Sequence, residues 1–144
     1  MMIVIDASAI VKLALEEPSS KETRSTIKAF LSDGEIIASP SVAIAEVLNA
    51  LWKHNVLIKD LKDSSLTVAI QEIMEFWDNV EKIPVETLVH GAINIAKRHK
   101  LTVYDSFYVA ASISNKAPLL TFDNQIIDNH EELSVELAKL IHHF

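Results

Sequence analysis

Four acidic side chains stand where they could share one piece of chemistry. Asp6 closes the apolar run Met2-Ile3-Val4-Ile5, and Asp123 follows a second run, Leu119-Leu120-Thr121-Phe122. Glu46 lies inside a helical stretch, and Asp105 falls in the first turn of another. Two unit charges about 4 Å apart repel by about 4 kcal/mol at an effective dielectric near 20. Four gathered carboxylates must therefore take up protons or share a divalent cation. Oxygen donors with neither thiolate nor imidazole select Mg²⁺ or Mn²⁺ over Zn²⁺. Each acid also has a local explanation. Asp6 and Asp123 could cap the helices that follow them, and Thr102-x-x-Asp105 is a variant of the capping box. Glu46 could be a solvated side chain beside Asn49 and Lys53.

The elements that must position these acids are legible in outline. Residues 2–5 read as a short buried strand, and 7–17 as a helix broken by Pro18. Residues 21–32 form an amphipathic helix stopped at Asp33-Gly34, and 35–38 form a second strand. Ser39-Pro40 pairs a hydroxyl cap with a proline at the first helical position, so a helix is expected from there to about His54. Asp60 to Trp77 is a longer helix or a pair with a break near residues 63–65. Ile83-Pro84-Val85 is a strand edge or turn. Helices are expected over 86–99 and 104–114, a strand over 118–121, and a last helix from Asp123. Residues 135–141 fit a strand or a helix equally well.

Short apolar strands separated by helices predict a three-layer α/β/α fold around a short parallel sheet, filling residues 1–144 as one domain. In such a sheet, loops at the carboxyl ends of the strands collect on one edge, where sites form. Asp6 and Asp123 belong there, and Glu46 and Asp105 must reach it from flanking helices.

Composition narrows the classes further. The 144 residues are 49% hydrophobic and 23% charged, too apolar for a disordered chain. Two glycines and four prolines argue against a sandwich of many tight turns, and the lack of cysteine excludes disulfide and thiolate chemistry. The net charge of −7 denies the protein the global positive field of a typical nucleic-acid binder. No basic leader precedes the first apolar run and no stretch reaches about 18 apolar residues, so a cytoplasmic address is expected. The aromatic residues Phe30, Trp52, Phe76 and Trp77 are expected in the core or at a subunit contact. His54, His90, His99 and His130 are expected at or near the surface, and His142-His143 in a solvated tail.

Four ordered blocks of sequence carry a resemblance. Ile3-Val4-Ile5-Asp6-Ala7-Ser8-Ala9-Ile10-Val11-Lys12-Leu13 resembles the opening of a PIN domain, most closely the VapC-type toxins of toxin–antitoxin pairs. Ser41-Val42-Ala43-Ile44-Ala45-Glu46-Val47-Leu48 is similar to the helix bearing that family's second acid. Tyr104-Asp105-Ser106-Phe107-Tyr108-Val109-Ala110 resembles its third-acid helix, and Leu119-Leu120-Thr121-Phe122-Asp123 the strand and acid that close the site. The resemblance implies a Mg²⁺- or Mn²⁺-dependent endoribonuclease that leaves a 5′-phosphate and a 3′-hydroxyl. It implies Asp6, Glu46, Asp105 and Asp123 as catalytic and metal-holding residues, a cognate antitoxin protein, and a homodimer. The hydroxyls of Ser8 and Thr121 either steady the carboxylates or cap locally. Lys97, Arg98 and Lys100 either meet RNA phosphates or offset the dipole at a helix C-terminus. Lys12, near Asp6, is a further candidate for the substrate, as is Lys53, near Glu46. A PIN-type RNA-processing nuclease without an antitoxin and a silent PIN-fold binding module remain as alternatives. A haloacid-dehalogenase-like phosphatase wants a second acid at position 8, where Ser8 stands. A receiver domain wants adjacent acids at the first strand's end, which Ile5-Asp6-Ala7 does not provide.

Overall fold

A computed structural model describes residues 1–141. Its four strands are β1 (Met2–Ile5), β2 (Ile36–Pro40), β3 (Glu81–Ile83) and β4 (Leu119–Leu120). They form one wholly parallel sheet in the order β3-β2-β1-β4. Val4 pairs with Ala38 on one side and Leu119 on the other, so β1 is central. Side chains alternate across a strand, yet Ile3, Val4 and Ile5 are all buried. Both faces of the sheet are therefore covered, giving the expected three layers. Chain direction makes Asp6 and residues 121–123 emerge side by side at the edge where the strand order reverses, the crevice that open α/β sheets use for ligands.

Among the described residues eight α-helices flank the sheet: α1 (Ala7–Val11), α2 (Ser20–Ser32), α3 (Ala43–Trp52), α4 (Asp63–Trp77), α5 (Val89–His99), α6 (Val103–Asn115), α7 (Asn124–Asp128) and α8 (His130–Leu133). A π-helical stretch, Lys53–Ile58, prolongs α3, and a 3₁₀ turn, Val85–Thr87, follows β3. Helix α6 packs on β1 and β2, and α1 packs on α3. Val47 and Leu51 of α3, Ile73 and Trp77 of α4, and Tyr108 and Val109 of α6 fill the core.

The largest differences from the sequence reading lie at two boundaries. Ser39-Pro40 is not a helix start: both residues end β2, and α3 begins at Ala43. Ser39 is fully buried and its hydroxyl donates to the Ile5 carbonyl, 2.7 Å away. Pro40 closes the strand, where its missing N–H costs least. The first helix stops at Val11 rather than near residue 17, because the amides of Lys12, Leu13 and Ala14 turn back to carbonyls three residues earlier. The open choice over 135–141 resolves as extended chain: Leu137 bridges Leu119 in parallel, and the Leu119 carbonyl accepts from the Ala138 amide. The expectation for His142-His143 lies outside the described residues.

Candidate active site

Asp6 is the buried centre of the carboxylate group, with a relative exposure of 3%. Its Oδ1 accepts from the Ser8 hydroxyl at 2.6 Å and from the Ala9 amide at 3.0 Å. Its Oδ2 accepts from the Thr121 hydroxyl. Both hydroxyls are themselves acceptors, Ser8 from the Phe122 amide at 2.9 Å and Thr121 from the Asp123 amide at 3.0 Å. Two backbone N–H groups at the end of β4 thus fix where both hydroxyl protons point. Each proton goes to Asp6, which is held as an acceptor from both sides. These bonds also tie the end of β1 to the end of β4.

The remaining acids arrive by different routes. Asp123 precedes α7, and its Oδ1 accepts from the Gln125 amide at 2.8 Å. Asp105 is placed by its helix cap: Thr102 Oγ1 accepts from the Asp105 amide at 3.1 Å. Glu46 stands in the first turn of α3, not deep within a helix as expected, because that helix starts later. Its Oε1 accepts from the Tyr108 hydroxyl at 2.9 Å, a bond spanning 62 positions. The capping explanation is locally correct for Asp6 and Asp123, and both acids join the gathering as well.

The four acids lie in one region: Ser8, Glu46 and Asp105 line one cleft, and Ser8 and Thr121 join Asp6 to the chain at Asp123. Burial is the largest influence on Asp6 and lifts its carboxyl to about 6; Ser8, Thr121 and Ala9 oppose the shift, and Asp123 adds to it. Burial likewise raises Glu46, against the Tyr108 hydrogen bond, and Asp105, Asp6 and Asp123 push it further up. Asp105 is raised by burial and then by Asp123. Burial and the Glu46 charge hold the Tyr108 phenol protonated far above its ordinary range. Among the described residues no three acidic or histidine side chains form a ready-made metal cage. What fits a divalent cation is the donor chemistry: four carboxylates, mutually repelling and partly desolvated, whose charges a hard dication would offset.

The expected basic contacts divide. Lys97 and Arg98 lie in the last turn of α5, and Lys100 just beyond it; all three are exposed. Lys12 is nearly buried and already partnered. It is 9% exposed, its Nζ donates to the Pro18 carbonyl at 2.8 Å, and it lies 3.8 Å from Glu17 and 4.6 Å from the centre of the Phe122 ring. Its ammonium is thus held by the Pro18 carbonyl, Glu17 and the Phe122 ring. Lys53 instead lines an open cleft of about 660 Å³ beside the acids, with Ser8, Glu46, Asn49, Tyr104 and Asp105. Trp77 is buried in the core, one of the two places expected for the aromatic residues, and Trp52 is 47% exposed. Tyr108 escaped the sequence reading because a tyrosine at helical spacing looks like core. The clue was its place, one turn after Asp105.

A family model for the PIN domain matches residues 3–132. The chain belongs to the PIN domain family. It is 30% identical to Ribonuclease VapC3 of Pyrobaculum aerophilum over 135 residues, covering 92% of this chain and 98% of that protein. Its fold is shared with VapBC2 from Rickettsia felis, solved with a DNA fragment from their promoter (TM-score 0.65, 15% identity, covering 96% of this chain and 98% of that one). A toxin–antitoxin complex from Klebsiella pneumoniae shares it too (TM-score 0.61, 13% identity, covering 85% and 87%). No helix among the described residues is long and apolar enough to cross a membrane.

Proposed function

We propose that this PIN-domain protein is a divalent-metal-dependent endoribonuclease, the toxin of a toxin–antitoxin pair. The convergence of Asp6, Glu46, Asp105 and Asp123 at the switch point of a parallel sheet, beside an open cleft, carries this reading. The identity to a named ribonuclease across nearly the whole chain supports it, and the toxin–antitoxin complex that shares the fold supports an antitoxin partner.

Bound Mg²⁺ or Mn²⁺ supplies Lewis-acid polarisation of a phosphoryl oxygen and an activated water at neutral pH. The chain's own groups do the rest. Asp6 and Asp105 would be the principal ligands, and Asp123 would complete the set directly or through water. Glu46 would hold a second ion or orient the attacking water. Ser8 and Thr121 keep the Asp6 carboxylate oriented, and such supporting bonds affect metal affinity or activity by about 10–100-fold when removed. The reading carries with it a cytoplasmic address and a homodimer. Exposed apolar side chains such as Trp52, Leu57 and Ile58 are consistent with assembly.

The test is cleavage of defined single-stranded RNAs with Mg²⁺ or Mn²⁺, with and without EDTA, by wild type, Asp6→Asn and Asp105→Asn. Wild type should cut, and chelation or either substitution should abolish cutting while circular dichroism stays native. Cleavage that survives EDTA or both substitutions would contradict the proposal.

A further inference from the structure

The cleft beside the acids has two chemically distinct walls. On one, Glu46, Asn49 and Lys53 follow at spacings of three and four residues, which puts them along one helical face. At 1.5 Å rise per residue the stripe runs about 10 Å, from carboxylate through amide to ammonium. Among the described residues Lys53 forms no ion pair, and neither Asn49 nor Lys53 gives its side chain to a protein hydrogen bond. By contrast Lys12 and Arg24 are committed to Glu17 and Glu16. On the other wall stand Thr102, Tyr104 and Asp105. Tyr104 is 58% exposed, although α6 carries buried side chains from Ser106 onward. An aromatic ring kept in water next to an acid of the site, in the same cleft as an uncommitted cation, matches what a nucleotide offers: a base to stack and a phosphate to neutralise.

We infer that this cleft is a binding subsite for one nucleotide of single-stranded RNA flanking the scissile bond, with Tyr104 stacking the base and Lys53 pairing with a phosphate. The inference rests on the ribonuclease reading and adds the element that selects unpaired over duplex RNA. Bases already stacked within a duplex cannot lie on Tyr104. Asn49, which lines the same cleft, offers its amide to a base edge or ribose. Lys97, Arg98 and Lys100 do not line this cleft.

The test is fluorescence anisotropy of a short labelled single-stranded RNA with Mn²⁺, in an Asp6→Asn background that prevents cutting. Adding Tyr104→Ala should weaken binding about tenfold, as loss of one base–aromatic stack implies, and Tyr104→Phe should retain it. Adding Lys53→Gln should weaken binding and reduce the slope of log affinity against log salt by about 0.7, one phosphate contact on a single strand. Duplex RNA should be indifferent to Tyr104→Ala. Affinity within twofold of the parent for both Tyr104→Ala and Lys53→Gln would overturn the subsite. So would a parent that binds no single-stranded RNA, or substitutions that disturb only binding of a protein partner. The wild-type cleavage assay separates the two levels: cutting alongside unchanged affinities sinks the subsite alone, whereas no cutting with either metal sinks the ribonuclease reading.

Discussion

Asp6 shows how one residue serves structure and chemistry together. As a helix cap it accepts the Ala9 amide; as the buried centre of the acid group it receives two oriented hydroxyls. Its carboxyl titrates at about 6 when folded, above its ordinary 3.8. The folded chain therefore holds this proton more tightly than the unfolded chain. The stability it contributes is complete below about pH 4 and is lost as pH rises through about 6. The size is on the order of 3 kcal/mol at one carboxyl, and Glu46 and Asp105 shift in the same direction. Metal-free protein should thus become easier to unfold with urea between pH 4 and 7, and Mn²⁺ at pH 7 should reverse the trend. A flat or rising metal-free profile would contradict the burial argument. Tyr108 belongs to the same scale. Removing its hydroxyl strips Glu46 Oε1 of its donor, so Tyr108→Phe should lower Mn²⁺ affinity by about 10–100-fold in titration calorimetry. Unchanged affinity would reduce Tyr108 to core filling. The acids were legible in the sequence because each sits in a short distinctive block. Tyr108 was not, since its partner is 62 positions away. Proximity of Lys12 to Asp6 in sequence did not reveal the Pro18, Glu17 and Phe122 contacts that hold its ammonium.

At the scale of elements, the caps decide where the acids point. Thr102 holds the first turn of α6 and with it Asp105. Thr102→Val should cost about 1 kcal/mol of stability, the usual value of an N-cap, and Thr102→Ser should restore it in urea denaturation. A loss within error of zero for Thr102→Val would show that tertiary packing alone sets this helix start. Most elements were readable from apolar period and breakers. The start of α3 was not, because Ser39-Pro40 carries a strong local helix signal that the sheet overrides. Pairing with Lys82 and Ile83 and the bond from Ser39 to Ile5 hold those residues in β2. Period could not settle 135–141 either, where a single bridge to Leu119 forms.

At the scale of the whole molecule, a parallel sheet whose order reverses beside β1 brings chain segments more than a hundred residues apart to one edge. The fold class was legible from alternating strands and helices, but the order β3-β2-β1-β4 was not, because pairing depends on contacts between distant segments. The proposed homodimer predicts a sedimentation mass near twice the chain's 16.0 kDa. A stable monomer at micromolar concentration would refute it. At the assembled edge, the proposed dication would offset four repelling carboxylates. Direct Mn²⁺ titration of wild type and Asp105→Asn at pH 7 tests this most directly. Saturable binding by wild type, weakened at least about tenfold by Asp105→Asn, is the result predicted here. Equal binding by the two proteins, or none by wild type, would contradict it.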